Sequence, residues 1–140
     1  MTDPGPTVVL VDDDDSVRRA LARLLRAAGY QVRTFASARD LLAQEALGDL
    51  GCVVLDVRMP GQGGLDLYEA IAAAGGDPSV VFITGHGDVS TAVKAMKAGA
   101  VDFLSKPIDD EELLEAVARA VARDRRLRGA AASEPSRPAS

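Results

Sequence analysis

Two adjacent carboxylates at Asp12 and Asp13, another at Asp56, a hydroxyl at Thr84 and an ammonium at Lys106 each close an apolar run of the chain. The runs are Val8-Val9-Leu10-Val11, Val53-Val54-Leu55, Val80-Val81-Phe82-Ile83, and Val101 to Leu104 interrupted by Asp102. If they are parallel strands, their ends converge, because an open parallel sheet binds its ligands at the carboxyl ends of its strands. Carboxylates crowded there repel, and each raises the pKa of the others unless a cation intervenes. Magnesium suits the gap: it takes oxygen ligands, keeps several waters and joins one or two carboxylates to phosphate oxygens. In that reading Asp13 and Asp56 ligate directly and Asp12 acts through water. A carboxylate is also a nucleophile toward phosphorus and forms an aspartyl phosphate, a transfer catalysed mostly by positioning and electrostatics. Lys106 would pair with a phosphoryl oxygen, and the Thr84 hydroxyl and the Gly85 amide would each donate a hydrogen bond. Each residue has a plainer reading alone: an acidic helix start for Asp12 to Asp15, a strand threonine, a surface lysine before proline. Their arrival together, in order, at strand ends favours the site.

The elements that must position them are legible from periodicity. Residues 1–6 read as a short disordered lead, and Thr7 to Val11 as the first strand. Val17, Leu21, Leu24, Leu25 and Ala28 have helical spacing, with Asp15 expected to cap the start and Gly29 the end. Gln31 to Phe35 alternates as a strand, and Ser37-Ala38-Arg39-Asp40 has capping spacing before a second helix ending near Leu47. A third strand from Cys52 to Asp56 precedes a Gly- and Pro-rich loop from Arg58 to Gly64, and a third helix covers Leu65 to Ala74. Val80 to Thr84 is the fourth strand, Asp88 can cap a helix from Val89 to Ala98, and Gly99 ends it. A short fifth strand near Val101 to Ser105 leads to a helix with Leu113, Leu114, Val117, Ala118 and Val121 on one face. Continuous apolar strands alternating with amphipathic helices predict an α/β domain, (βα)5, with a doubly wound parallel five-stranded sheet. The domain is expected over residues 7–126, with 127–140 a flexible linker or tail of Gly, Ala, Ser and Pro.

At 140 residues the chain suits one domain, and 47% hydrophobic residues make it globular. A net charge of −5 argues against nucleic-acid binding by this domain, which needs clustered Lys and Arg. The chain shows neither a signal peptide nor an apolar span of about 20 residues. With a single cysteine, Cys52, expected as a buried small hydrophobe, it reads as cytoplasmic and without a membrane partner.

Four motifs carry a resemblance: Val11-Asp12-Asp13, Leu55-Asp56-Val57-Arg58-Met59-Pro60, Ile83-Thr84-Gly85-His86-Gly87-Asp88 and Phe103-Leu104-Ser105-Lys106-Pro107. With these, the stretch from about Thr7 to Arg126 resembles the receiver domain of two-component response regulators. The resemblance implies a flavodoxin-like sheet of strand order 2-1-3-4-5. It implies Asp56 as phosphoacceptor from a histidine kinase, Asp12 and Asp13 as the acidic pair, and the Arg58 backbone carbonyl as a further Mg2+ ligand. Thr84 and Lys106 become the switch and phosphate-binding residues, with Phe103 the bulky partner that rotates inward. The same resemblance implies a cis Lys106–Pro107 peptide, and makes His86 and Arg58 modulators of water access. Phosphorylation would remodel the face of the fourth helix, fifth strand and fifth helix, where Lys94, Lys97, Asp109 and Glu112 offer both charge signs, and so favour a homodimer. Ala95-Met96-Lys97-Ala98-Gly99-Ala100-Val101-Asp102-Phe103 and the Thr84 motif are most like FixJ-type regulators, which usually carry a LuxR-type helix-turn-helix output downstream, and are also similar to receivers of activators that work with the alternative sigma factor. The protein is thus expected to be a phosphoacceptor switch, not an enzyme in the ordinary sense, controlling transcription.

Other readings remain: a stand-alone receiver in a phosphorelay, a phosphorylation-independent interaction module, or a haloacid dehalogenase-type phosphatase. The last expects a second acid two residues after the nucleophile, where this chain has Arg58. A nucleotide enzyme would need a Gly-rich phosphate loop, and neither GxxxxGK[ST] nor GxGxxG follows the first strand.

Overall fold

The computed structural model describes residues 5–44, 50–59, 61, 63–85 and 89–133. The Val- and Ile-rich runs form five parallel strands, β1 (Thr7–Val11), β2 (Gln31–Phe35), β3 (Cys52–Asp56), β4 (Ser79–Thr84) and β5 (Asp102–Ser105). Their order is β2-β1-β3-β4-β5. The interleaved helices are α1 (Asp15–Ala27), α2 (Ala38–Gln44), α3 (Gly64–Ala73), α4 (Val89–Lys97) and α5 (Asp110–Ser133). This is the flavodoxin-like arrangement that the motifs imply.

The period of two divides each central strand between two cores. Val9, Val53, Leu55 and Phe82 face Leu41, Leu67, Ile71 and Ala95 of α2, α3 and α4. Val8, Leu10, Val54, Val81 and Ile83 face Leu21, Leu25, Leu113 and Val117 of α1 and α5. β3 and β4 are buried along their whole length, whereas the edge strand β2 is mostly exposed. Cys52 lies in the core, and burial pushes its thiol up to about 12, as befits an inert small hydrophobe.

Helix ends follow local chemistry, with two differences from expectation. Asp14, not Asp15, caps α1: its side chain accepts from the Val17 amide at 3.1 Å, leaving Asp15 in the first turn. α5 runs on to Ser133, into the stretch expected to be linker, since Ala130 to Ala132 are strong helix formers. Ser37 Oγ accepts from the Asp40 amide at 3.1 Å at the start of α2. α4 stops where Gly99 takes φ +108°, and Ala100 N donates back to the Ala95 carbonyl at 3.1 Å. The expected end of the second helix near Leu47 and the Asp88 cap lie outside the described residues.

Candidate functional site: a carboxylate and lysine cluster at the strand ends

Asp12 leaves β1 fully buried. Its backbone amide donates to the Phe35 carbonyl at 3.2 Å, its Oδ1 accepts from the Asp14 amide at 2.9 Å, and its carbonyl accepts from Arg18 Nη1 at 2.8 Å. Asp13, the next residue, is exposed. Asp56 closes β3 with only 3% of its surface exposed, and its Oδ1 accepts from the Arg58 amide at 3.0 Å. A glycine is required beside it. A Cβ on Gly64 would lie 2.4 Å from the Asp56 carbonyl oxygen, so only glycine lets α3 start so close to the end of β3.

Lys106 reaches this cluster from the end of β5. Its backbone amide donates to the Thr84 carbonyl at 2.7 Å, its peptide with Pro107 is cis as the resemblance implies, and its Nζ lies 3.1 Å from Asp12 Oδ2 and 3.3 Å from Asp56 Oδ2. The approach to Asp56 is a hydrogen bond. The approach to Asp12 is an ion pair at an angle that leaves Oδ2 without a hydrogen bond among the described residues. Thr84 ends β4 fully buried, and Gly85 beside it is exposed. Phe103 on β5 is partly buried, with its ring 6.4 Å from that of Phe82. His86 and Pro60 lie outside the described residues.

The electrostatics are strained in one direction. Burial, reinforced by the Asp12 charge, raises the Asp56 carboxyl from 3.8 to about 6 against the pull of the Arg58 amide and Lys106. Burial pulls the Lys106 ammonium down, but the two carboxylates outweigh it and hold the group above its ordinary value. One lysine therefore serves two buried carboxylates. Carboxylate oxygens of Asp12, Asp13 and Asp56 all lie within 4.8 Å of one another, and Asp12 Oδ2, buried and ion-paired with Lys106, has no hydrogen bond among the described residues. A hard, oxygen-preferring cation fits that donor set.

Sequence reasoning missed the groups that hold the cluster in place. The Arg18 bond to the Asp12 carbonyl had no signal in the motif, and the Gly64 approach was hidden in a loop rich in glycine.

A profile of the response regulator receiver domain matches residues 8–118. The chain belongs to the response regulator receiver family. Nodulation protein W of Bradyrhizobium diazoefficiens is 50% identical over 123 residues, which are 88% of this chain and 54% of that protein. The transcriptional regulatory protein FixJ of Azorhizobium caulinodans is 47% identical over 116 residues, 83% of this chain and 55% of its own length. The chain thus spans about half the length of the curated relatives it matches. Among solved structures, the response regulator StyR superposes with a TM-score of 0.86 at 44% identity, covering 94% of this chain and 66% of that one. Full-length FixJ from B. japonicum gives 0.75 at 40% identity, covering 88% and 60%. Receivers of this family are in general switch proteins, and transcriptional regulators recur among these relatives. No helix among the described residues is long and apolar enough to cross a membrane.

Proposed function

We propose that this receiver, in the cytoplasm, accepts a phosphoryl group on Asp56 from the phosphohistidine of a histidine kinase and thereby controls an output, transcription in the first instance. The observation that carries the reading is the buried Asp56 carboxylate, with Oδ2 at 3.3 Å from the Lys106 ammonium and Asp12 and Asp13 alongside. A carboxylate oxygen of Asp56 attacks phosphorus through a lone pair, the phosphorus–nitrogen bond breaks, and the departing imidazole keeps the electron pair and takes a proton from water. Lys106 shifts from the Asp56 carboxylate to a phosphoryl oxygen as charge moves outward, while the Thr84 hydroxyl and the Gly85 amide hydrogen-bond the remaining oxygens. Asp13, Asp56 and the Arg58 carbonyl would hold Mg2+, with Asp12 acting through water. Bound there, the ion would neutralise the crowded carboxylates and the incoming phosphoryl charge.

The phosphoryl group carries about −1.5 to −2 where the carboxylate carried a single charge, and the difference must be accommodated. Thr84 moves toward a phosphoryl oxygen and opens space beneath β4, into which Phe103 turns. The face of α4, β5 and α5 is repacked, and Lys94, Lys97, Asp109 and Glu112 then match a second copy across a two-fold axis. Helix α5 leads from that face toward whatever output follows, a LuxR-type helix-turn-helix by analogy with FixJ.

The test is treatment with acetyl phosphate and Mg2+, followed by intact-mass spectrometry and sedimentation velocity. Wild type should gain one phosphate and dimerise. Asp56→Asn should do neither, and Phe103→Ala should be phosphorylated yet stay monomeric. Phosphate that persists on Asp56→Asn would move the acceptor elsewhere, and normal dimers of Phe103→Ala would remove that ring from the switch.

A further inference from the structure

From Ser16 to Arg39 the sequence holds six arginines and no Asp, Glu or Lys, inside a chain whose net charge is −5. The fold gathers four of them. Helix α1 and edge strand β2 wall a groove of about 360 Å³ lined by Arg18, Arg19, Ala22, Arg23, Arg26 and Thr34. Two of the guanidinium groups are already anchored: Arg18 by the Asp12 carbonyl at 2.8 Å and an ion pair with Asp15, Arg26 by the Val32 carbonyl at 3.2 Å. Arg19 and Arg23 are exposed and make no hydrogen bond or ion pair among the described residues.

The groove offers a ligand little but positive charge. No carboxylate is among its lining residues, Asp15 beside it is paired with Arg18, and Ala22 in its lining is only 3% exposed. A protein partner would need an aromatic or aliphatic anchor in an apolar centre, and this groove has none. Positive charge on an edge strand guards it against pairing, but most of these arginines sit on the helix, not the strand. All are arginines, whose planar forks take phosphate oxygens two at a time, where lysine offers a single point charge. The volume lies at the small end of ligand sites and suits a group of di- or triphosphate size.

We propose that the α1–β2 groove binds a compact phosphate-rich anion, with Arg19 and Arg23 as its principal contacts and Arg18 and Arg26 as preorganised flanks. The phosphates belong either to a free polyphosphate or to a nucleic-acid backbone. The groove meets the carboxylate cluster only at Arg18, which holds the Asp12 carbonyl, and the proposal stands whether or not Asp56 is the phosphoacceptor.

Calorimetric titration of the intact chain with tripolyphosphate, in metal-free buffer at about 150 mM salt so that exposed charges are screened, tests the idea. Saturable one-to-one binding is expected. Arg19→Ala/Arg23→Ala should weaken it by about tenfold or more, equivalent to about 1.4 kcal/mol. Arg39→Ala/Arg126→Ala removes the same charge from exposed positions outside the groove and should change the affinity by less than about twofold. Arg19→Lys/Arg23→Lys, which keeps the charge, should restore only part of the affinity. A short DNA duplex that binds with the same dependence on Arg19 and Arg23 assigns the phosphates to nucleic acid, and binding of tripolyphosphate alone assigns a free polyphosphate. Absence of saturable binding, equal weakening in the two alanine pairs, or a glutamate-rich peptide of equal charge that binds as tightly overturns the proposal.

Discussion

Replacing Asp56 by Asn should stabilise the metal-free protein, although it removes a buried group bonded to Lys106 and to the Arg58 amide. The reason is the raised carboxyl, from 3.8 to about 6, with burial as the leading cause. Ionised Asp56 is therefore a folded-state penalty. A shift of about two units corresponds to roughly 3 kcal/mol at about 1.36 kcal/mol per unit. The site opens toward solvent at Lys106, whose side chain is 21% exposed, so screening reduces the gain to about 1–2 kcal/mol. Lys106 keeps a counter-charge in the variant, Asp12 Oδ2 at 3.1 Å. The pH dependence has a fixed sign. Between the unfolded value of 3.8 and about 6 the folded chain binds more protons than the unfolded one, so wild-type stability falls as pH rises through that window and is level above it. The asparagine advantage should therefore be complete at pH 7.5 and shrink to roughly half by pH 4.5. Thermal melts in EDTA followed by circular dichroism should show Asp56→Asn melting about 3–8 °C above wild type at pH 7.5. Added Mg2+ should then narrow the gap by stabilising wild type selectively. An Asn variant less stable than wild type at pH 7.5, or an advantage that does not vary with pH, would refute the reasoning.

Asp13→Asn should weaken Mg2+ binding by about tenfold or more in calorimetry. Because Asp13 is exposed, the melting curve in EDTA should move by less than about 0.5 kcal/mol; unchanged metal affinity would remove Asp13 from the ligand set. Tyr68→Phe tests a different anchor, the phenol that donates to the Ala98 carbonyl at 2.9 Å and ties α3 to the end of α4. Its loss should cost about 1 kcal/mol by denaturant unfolding, and a neutral result would mean that water replaces the phenol without loss.

The sequence made the sheet readable because its central strands are buried on both faces. Val53-Val54-Leu55 and Val80-Val81-Phe82-Ile83 have no polar residue to place toward solvent, so only a strand covered on both sides accommodates them. The start of α1 was harder. Asp12, Asp13, Asp14 and Asp15 carry the same side chain, and only backbone geometry makes the first a buried member of the carboxylate cluster, the second its exposed member, the third a cap and the last a first-turn acid paired with Arg18. The end of α5 was obscured by composition, since alanines that favour helix adjoin serines and prolines that favour a tail. The groups that could do chemistry were visible because charge and nucleophilicity belong to side-chain types. What holds them was not visible, because it is mostly backbone: the Phe35 carbonyl on the Asp12 amide, the Lys106 amide on the Thr84 carbonyl, and the Gly64 backbone against Asp56. The arginine groove shows a related loss. A net charge of −5 averages an acidic strand-end face with an arginine segment that contains no acid at all, so the balance argued against clustered basic residues where α1 and β2 present them. Net charge bears on how a domain meets a distant partner, whereas a ligand within a few ångströms meets only the charges that the fold has gathered there.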